Sequence, residues 1–276
     1  MDSVPDSAAC NLSVKLAVDH GFGSLRGFVN GVLRNIARNR DGIKYPDKNT
    51  SPLEYYSVEY SVPVELVEIL LQDYGSETVD RILGSSYEMR PTSIRVNTDR
   101  ISVDEVERKL ETAGIETVRG NLNDTSLLIK GYDYVRRIPG FMDGEFVVQD
   151  QSSCLAVRAA GIQNGDLVVD VCAAPGGKSL HAADLLAGTG VIFSCDLSET
   201  KVHLIQENME RAGVDHCELY RQNARILRKD WIDSVDVLIA DLPCSGLGVI
   251  GGKCDIKYLS LIHISEPTRL ALISYA

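Results

Sequence analysis

The chain has no Cys-x-x-Cys pair, no long apolar run and no excess of basic charge. Each absence excludes a class of protein. Its seven cysteines (Cys10, Cys154, Cys172, Cys195, Cys217, Cys244 and Cys254) are odd in number and scattered. That spacing fits reduced thiols in the cytoplasm and disfavours a disulfide framework or a zinc site, so no metal is expected. No stretch approaches the roughly 18 apolar residues of a membrane span, and the N-terminus lacks the charged-then-apolar pattern of a signal peptide. The formal charge of −11, from 28 basic and 39 acidic residues, argues against nucleic-acid binding by charge alone. A local basic patch remains compatible with it. With 44% hydrophobic residues, the composition is that of a globular protein with a sizeable core.

Along the chain, residues 1–45 read as helical. In "RGFVNGVLRNIAR", Phe28, Val32 and Ile36 share one face, with Val29 and Leu33 beside them. Arg26, Arg34 and Arg38 lie mostly elsewhere on the wheel, as a solvated face or a basic contact surface. Residues 46–52 form a polar, proline-containing linker. Residues 53–150 read as a small α+β module. A helix follows Pro63, with a stripe of Val67, Leu70, Leu71 and Tyr74, and "TSIRVNT" alternates like a strand. "SVDEVERKLETAG" opens with a capping box, Ser102 with Glu105, and closes at Gly114. Short apolar strands follow at Leu127–Ile129 and Phe146–Val148.

In residues 151–258 strands and helices alternate, as in a parallel α/β sheet. "LVVDVCA", "VIFSCD", "CELYRQN" and "VDVLIADLP" are the strands; "KSLHAADLLAG" and "TKVHLIQENMERAG" are helices, the second with Val202, Ile205, Met209 and Ala212 on one face. Four strands are part of a doubly wound sheet, which commonly has about six. "DVCAAPGGKS" lies where the first strand feeds a helix, and its small residues allow close backbone approach to a ligand. It is not a G-x-G-x-x-G loop. Gly177-Lys178-Ser179 ends like a P-loop, but Cys172 stands where that motif needs glycine. A P-loop-like NTPase, with "VDVLIAD" as its second motif, is one alternative, and a non-catalytic RNA-binding module is another. Asp196 closes the second strand about 20 residues past the glycines, where an acid grips ribose hydroxyls.

Taken together, "RVN" (Arg95 to Asn97), "QDQSS" (Gln149 to Ser153), "DVCAAPGGK", "SCDLS", "DLPCSGLGVI" and "DIKY" resemble the ordered motifs of the RNA cytosine-C5 methyltransferases. "VPDSAACNLSVKLA" with "GFVNGVLRNIAR" resembles the end of the NusB-like domain carried by the bacterial 16S rRNA branch of that family. The resemblance implies a partial Rossmann-like class I methyltransferase sheet, preceded by an α+β RNA-binding module and the end of a NusB-like helical domain. It implies S-adenosylmethionine as cofactor and 16S rRNA as partner, for a monomer in the cytoplasm.

Cys172, Ala173, Ala174, Pro175, Gly176, Gly177 and Lys178 would wrap the methionine end, and Asp196 would hold the ribose. Asn223, where the family usually has aspartate, would meet adenine, and Asp241 would lie near the cofactor methyl and the target base. Arg95, Asn97, Gln149 and Asp150 would contact RNA. The implied chemistry adds a thiolate to cytosine C6 to activate C5, on a base taken out of its stack. In the family the attacking cysteine belongs to a later Thr-Cys motif, and the Pro-Cys cysteine, here Cys244, assists product release.

No Thr-Cys pair occurs in the chain. After "DIKY", the tail Leu259 to Ala276 resembles the translation of a transposase-type sequencing adapter with an index between Arg269 and Ile273. The resulting expectation is a gene fragment shortened at both ends, with an unpaired fourth strand, poor solubility and no catalysis. Resequencing the source locus across the Tyr258 codon is expected to show a different reading frame after that position; a native frame through the tail would refute it.

Overall fold

The computed structural model describes residues 4–88, 90–244, 246, 248, 250–251 and 257–258. The tail Leu259–Ala276, and Asp255 and Ile256 of "DIKY", lie outside the described residues. The described residues divide into two compact units: those up to Tyr87 together with Ile250, Gly251, Lys257 and Tyr258, and those between Glu88 and Gly248.

In the first unit, α1 (Asp6–Asp19) packs on α2 (Arg26–Arg38) and α3 (Pro52–Glu59) on α4 (Val64–Gly84). Phe28, Val32 and Ile36 are all exposed. The half-buried line on α2 is instead Val29, Leu33 and Ala37. Helix α3 starts with Pro52, whose missing N–H costs nothing at a helix start. Tyr56, Val62, Leu66, Val67, Val79 and Leu83 are buried. Tyr74, expected to continue the stripe of Val67 and Leu70, is exposed. The reason lies one residue on: Gly75, at φ +71°, breaks the helical path and shifts the phase of the turns beyond it.

The second unit holds two sheets. Strands β1 (Thr92–Val96), β2 (Glu116–Arg119), β3 (Ser126–Lys130) and β4 (Phe146–Val148) form an antiparallel sheet in the order β2-β3-β1-β4. Helix α5 (Val103–Thr112) covers it with Val106 and Leu110. Its capping box is complete: Ser102 Oγ accepts the Glu105 N–H, and Glu105 accepts the Ser102 N–H. Gly114, at φ +77°, follows the last helical turn.

The parallel sheet has the order β7-β6-β5-β8, from β5 (Leu167–Asp170), β6 (Val191–Asp196), β7 (Cys217–Arg221) and β8 (Val237–Ile239). Parallel neighbours need crossover connections. Here α7 (Gly177–Leu186) joins β5 to β6, and α8 (Glu199–Ala212) joins β6 to β7. Helix α6 (Gln151–Ala159) precedes β5, capped by Asp150, which accepts the Ser152 N–H at 2.8 Å. Val157, Val168, Ala182, Leu186 and Ile192 form one core of this sheet. From β5 the order runs through β6 to β7 on one side and to β8 on the other. That reversal creates a crevice at the carboxyl ends of β5 and β8, the usual ligand position in such sheets.

The two sheets meet where Gly144 approaches the end of α8. A Cβ on Gly144, at φ +70°, would fall 1.9 Å from the Arg211 carbonyl oxygen. Gly161 has nearly the same φ, +71°, with nothing within 4 Å. Gly161→Ala is therefore expected to cost about 1 kcal/mol from backbone strain, and Gly144→Ala about 3 kcal/mol or more. Urea unfolding checks this; equal losses would show that the close approach carries no energy.

Candidate active site

Four strand ends deliver the candidate residues to one edge of the parallel sheet. After β5 the chain turns through Ala173 and Gly176. The Ala173 N–H donates to the Cys195 carbonyl on β6 at 2.8 Å, and the Gly176 N–H to the Ala173 carbonyl at 2.6 Å. The Ala174–Pro175 peptide is cis, and the Pro175 carbonyl accepts from Asn208 of α8 at 2.8 Å. Gly176 caps α7 at φ +105°, where a side chain would be strained. The first backbone bond of α7 runs from the Leu180 N–H to the Gly176 carbonyl. The three N–H groups before it have no intrahelical acceptor, and a helix start of this kind favours an anion or polar ligand.

Asp196 ends β6, buried; it accepts a 3.4 Å bond from the Ser198 N–H and lies 3.5 Å from Lys201 Nζ. Asn223 follows β7 and folds over its own turn, its Oδ1 accepting the Arg225 N–H at 3.0 Å. The β8 loop returns to the β5 loop through Lys178, whose Nζ donates to Asp241 Oδ2 at 2.5 Å. Cys244, three residues beyond Asp241, is exposed. The expected cofactor residues therefore share one crevice edge. Sequence reading passed over three further participants. Asp170, buried, accepts from Ser179 Oγ at 2.8 Å, and Lys201 faces Asp196.

The residues expected to touch RNA are placed differently. Arg95, Asn97 and Gln149 are 2%, 7% and 5% exposed. Arg95 donates from Nε to Gln149 Oε1 at 2.7 Å and forms an ion pair with Asp184 of α7. Asn97 Nδ2 donates to the Gly144 and Ala212 carbonyls. These side chains bond to protein because they lie between the two sheets. Asp150 is exposed and caps α6.

Charge in the crevice is shaped by burial. Burial raises Asp170 to about 6, against the stabilising Ser179 hydroxyl and Cys172 N–H. Burial, then the charges of Asp196 and Asp170, push the Cys172 thiol up. His181, on the buried face of α7, is lowered to about 3 by burial and by the positive charges of Arg95 and Arg158.

The fold and crevice define an α/β protein of the class I methyltransferase type. Residues 158–263 match the family model "16S rRNA methyltransferase RsmB/F", residues 62–135 its ferredoxin-like domain and residues 1–38 the NusB family. The probable ribosomal RNA small subunit methyltransferase B of Bacillus subtilis is 35% identical over 94% of this chain and 57% of its own length. The ribosomal RNA small subunit methyltransferase B of Vibrio cholerae is 31% identical over 93% and 57%. The crystal structure of PH0851 superposes with a TM-score of 0.79 at 25% identity, covering 93% of this chain and 57% of that one. Over residues 62–135 and 158–263 the chain is thus similar to the RsmB/F family of 16S rRNA methyltransferases. It spans just over half the length of these relatives.

Two buried groups pull the pH dependence of stability in opposite directions. Between 3.8 and about 6, Asp170 binds more proton in the folded state, so its contribution is lost as pH rises through that window. Between about 3 and 6.5, His181 binds less proton when folded, so its contribution is complete above 6.5 and lost as pH falls. Asp170→Asn should steepen the gain in stability between about pH 4 and 6, and His181→Gln should flatten it. Urea midpoints across that range measure both; variants parallel to the parent would contradict the assignment.

Proposed function

We propose that this chain carries the cofactor-binding part of an enzyme that methylates cytosine C5 in 16S rRNA, with S-adenosylmethionine as methyl donor. The observation that carries the reading is that the Cys172–Lys178 loop, Asp196, Asn223 and Asp241 follow the carboxyl ends of four neighbouring parallel strands, with Lys178 of the first loop bonded to Asp241 of the last. Its setting is the cytoplasm, as a metal-free monomer acting on RNA; no described helix is long and apolar enough to cross a membrane.

The residues present fit the cofactor. The free N–H groups of the α7 first turn suit its carboxylate. Asp196, with one long N–H contact and one lysine at 3.5 Å, retains acceptor capacity for ribose hydroxyls. Asn223 can give and accept a bond at adenine. When bound, the cofactor supplies an electrophilic methyl group.

The chain's own residues orient the base. Lys178 fixes the Asp241 carboxylate, which is otherwise 61% exposed and free to rotate, at the mouth of the crevice. Cys244, on the same loop and open to solvent, would assist product release. No Thr-Cys pair occurs in the 276 residues, so binding is the property to measure.

Calorimetry with S-adenosylhomocysteine is expected to show saturable binding. Asp196→Ala should weaken it more than tenfold, as expected for loss of two charge-assisted hydrogen bonds of about 1.5 kcal/mol each. Unchanged affinity in the variant, or no binding by the parent chain, would overturn the proposal.

A further inference from the structure

Gln149 sits at the end of β4, 5% exposed, on the boundary between the two sheets. Arg95 can only donate, so the amide oxygen of Gln149 must face it, and the 2.7 Å bond from Arg95 Nε to Oε1 meets that requirement. The amide nitrogen is thereby turned the other way. It is buried and has no hydrogen-bond partner. A buried unpaired N–H₂ is costly unless a ligand completes it.

The location of that amide names the ligand chemistry. A Cβ on Gly177, the first residue of α7, would lie 3.7 Å from Gln149 Cδ and 3.9 Å from Nε2. The donor therefore flanks the open N–H groups of the α7 first turn. Two kinds of donor, one side-chain amide and the helix start, are thus neighbours, a combination suited to an anionic group. The Arg95–Asp184 ion pair fixes the same arrangement from the far side, because Asp184 is a residue of α7.

We propose that Gln149 is a ligand-binding residue whose Nε2 donates to the carboxylate of the cofactor's amino-acid end, with Arg95 as the residue that orients it. The inference rests on the proposed function above and extends it to a residue that the motif resemblance placed at the RNA. It gives the antiparallel module a part in cofactor binding: strand β1 carries the orienting arginine and β4 leads into the donor.

The test compares two probes on the full chain by calorimetry. S-adenosylhomocysteine has the carboxylate; 5′-methylthioadenosine has the nucleoside and sulfur but no amino-acid end. Gln149→Ala is expected to weaken S-adenosylhomocysteine about tenfold and to leave 5′-methylthioadenosine within about twofold of the parent. Gln149→Glu, which puts a negative charge in the same place, should weaken S-adenosylhomocysteine further, again sparing the other probe. A merely structural role would weaken both probes together, and that result overturns the assignment, as does unchanged S-adenosylhomocysteine affinity. If the parent binds neither probe, the reading of the crevice fails and the role of Gln149 fails with it. If the parent binds both and only the Gln149 discrimination is missing, the crevice reading stands alone.

Discussion

A guanidinium buried to 2% exposure is the constraint on which the second unit depends. Burial lowers Arg95 only to about 10, so it is charged near neutrality and has to find partners inside the protein. It finds them on two elements, Gln149 after β4 and Asp184 on α7. Two residues on, just past the end of β1, Asn97 donates to the carbonyl of Ala212 at the end of α8. Ile94 and Val96, on the opposite face, are fully buried in the core of the antiparallel sheet. One strand thus has an apolar face that builds its own module, while its arginine and the asparagine just past its end grip both crossover helices of the neighbouring sheet. Removing one partner of such a buried pair costs far more than the pair contributes, which restricts how these helices can be placed.

The consequences reach the crevice. Helix α7 begins at the end of the loop that follows β5, and α8 starts three residues after Asp196. Fixing both helices from β1 therefore fixes the carboxyl ends of β5 and β6 relative to each other, in addition to the ladder that pairs them. The Asn208 bond to the Pro175 carbonyl adds a third tie, from α8 back to the loop. A ligand site held within tenths of an ångström needs such outer supports, because the loop itself is rich in small residues and has few side-chain contacts of its own.

Much of this was legible in the sequence, and the parts that were not had a physical reason. The strands Val191–Asp196 and Phe146–Val148 and the capping box at Ser102 followed from apolar runs and turn chemistry, which are local. The crevice was legible because its residues stand directly after strands, so finding the strand finds the residue. Strand β2 was not, since Glu116–Arg119 has no buried face to alternate against. The phase of α4 was lost at Gly75, whose conformation no periodicity reports. The polar face of β1 was the larger gap. Arginine and asparagine in a motif read as contacts for a polyanion, and only tertiary structure shows that Asp184, 89 residues away, is the partner.

The electrostatics of the crevice also separate its two cysteines. Cys172 lies among Asp170, Asp196 and Asp241, and both its burial and those carboxylates hold it as a neutral thiol. A thiol of raised pKa is a weak nucleophile and a poor proton donor, but it is small and apolar enough to line a tight loop. Cys154, Cys195 and Cys217 are likewise raised by burial, as expected of packing residues. Cys244 alone among the described cysteines is exposed, and it shares a loop with a carboxylate that Lys178 holds in place. An accessible sulfur three residues along the chain from an oriented acid therefore occurs at one position among the described cysteines. The burial and carboxylate charges that push the Cys172 thiol up remove the β5 loop's own cysteine from that role.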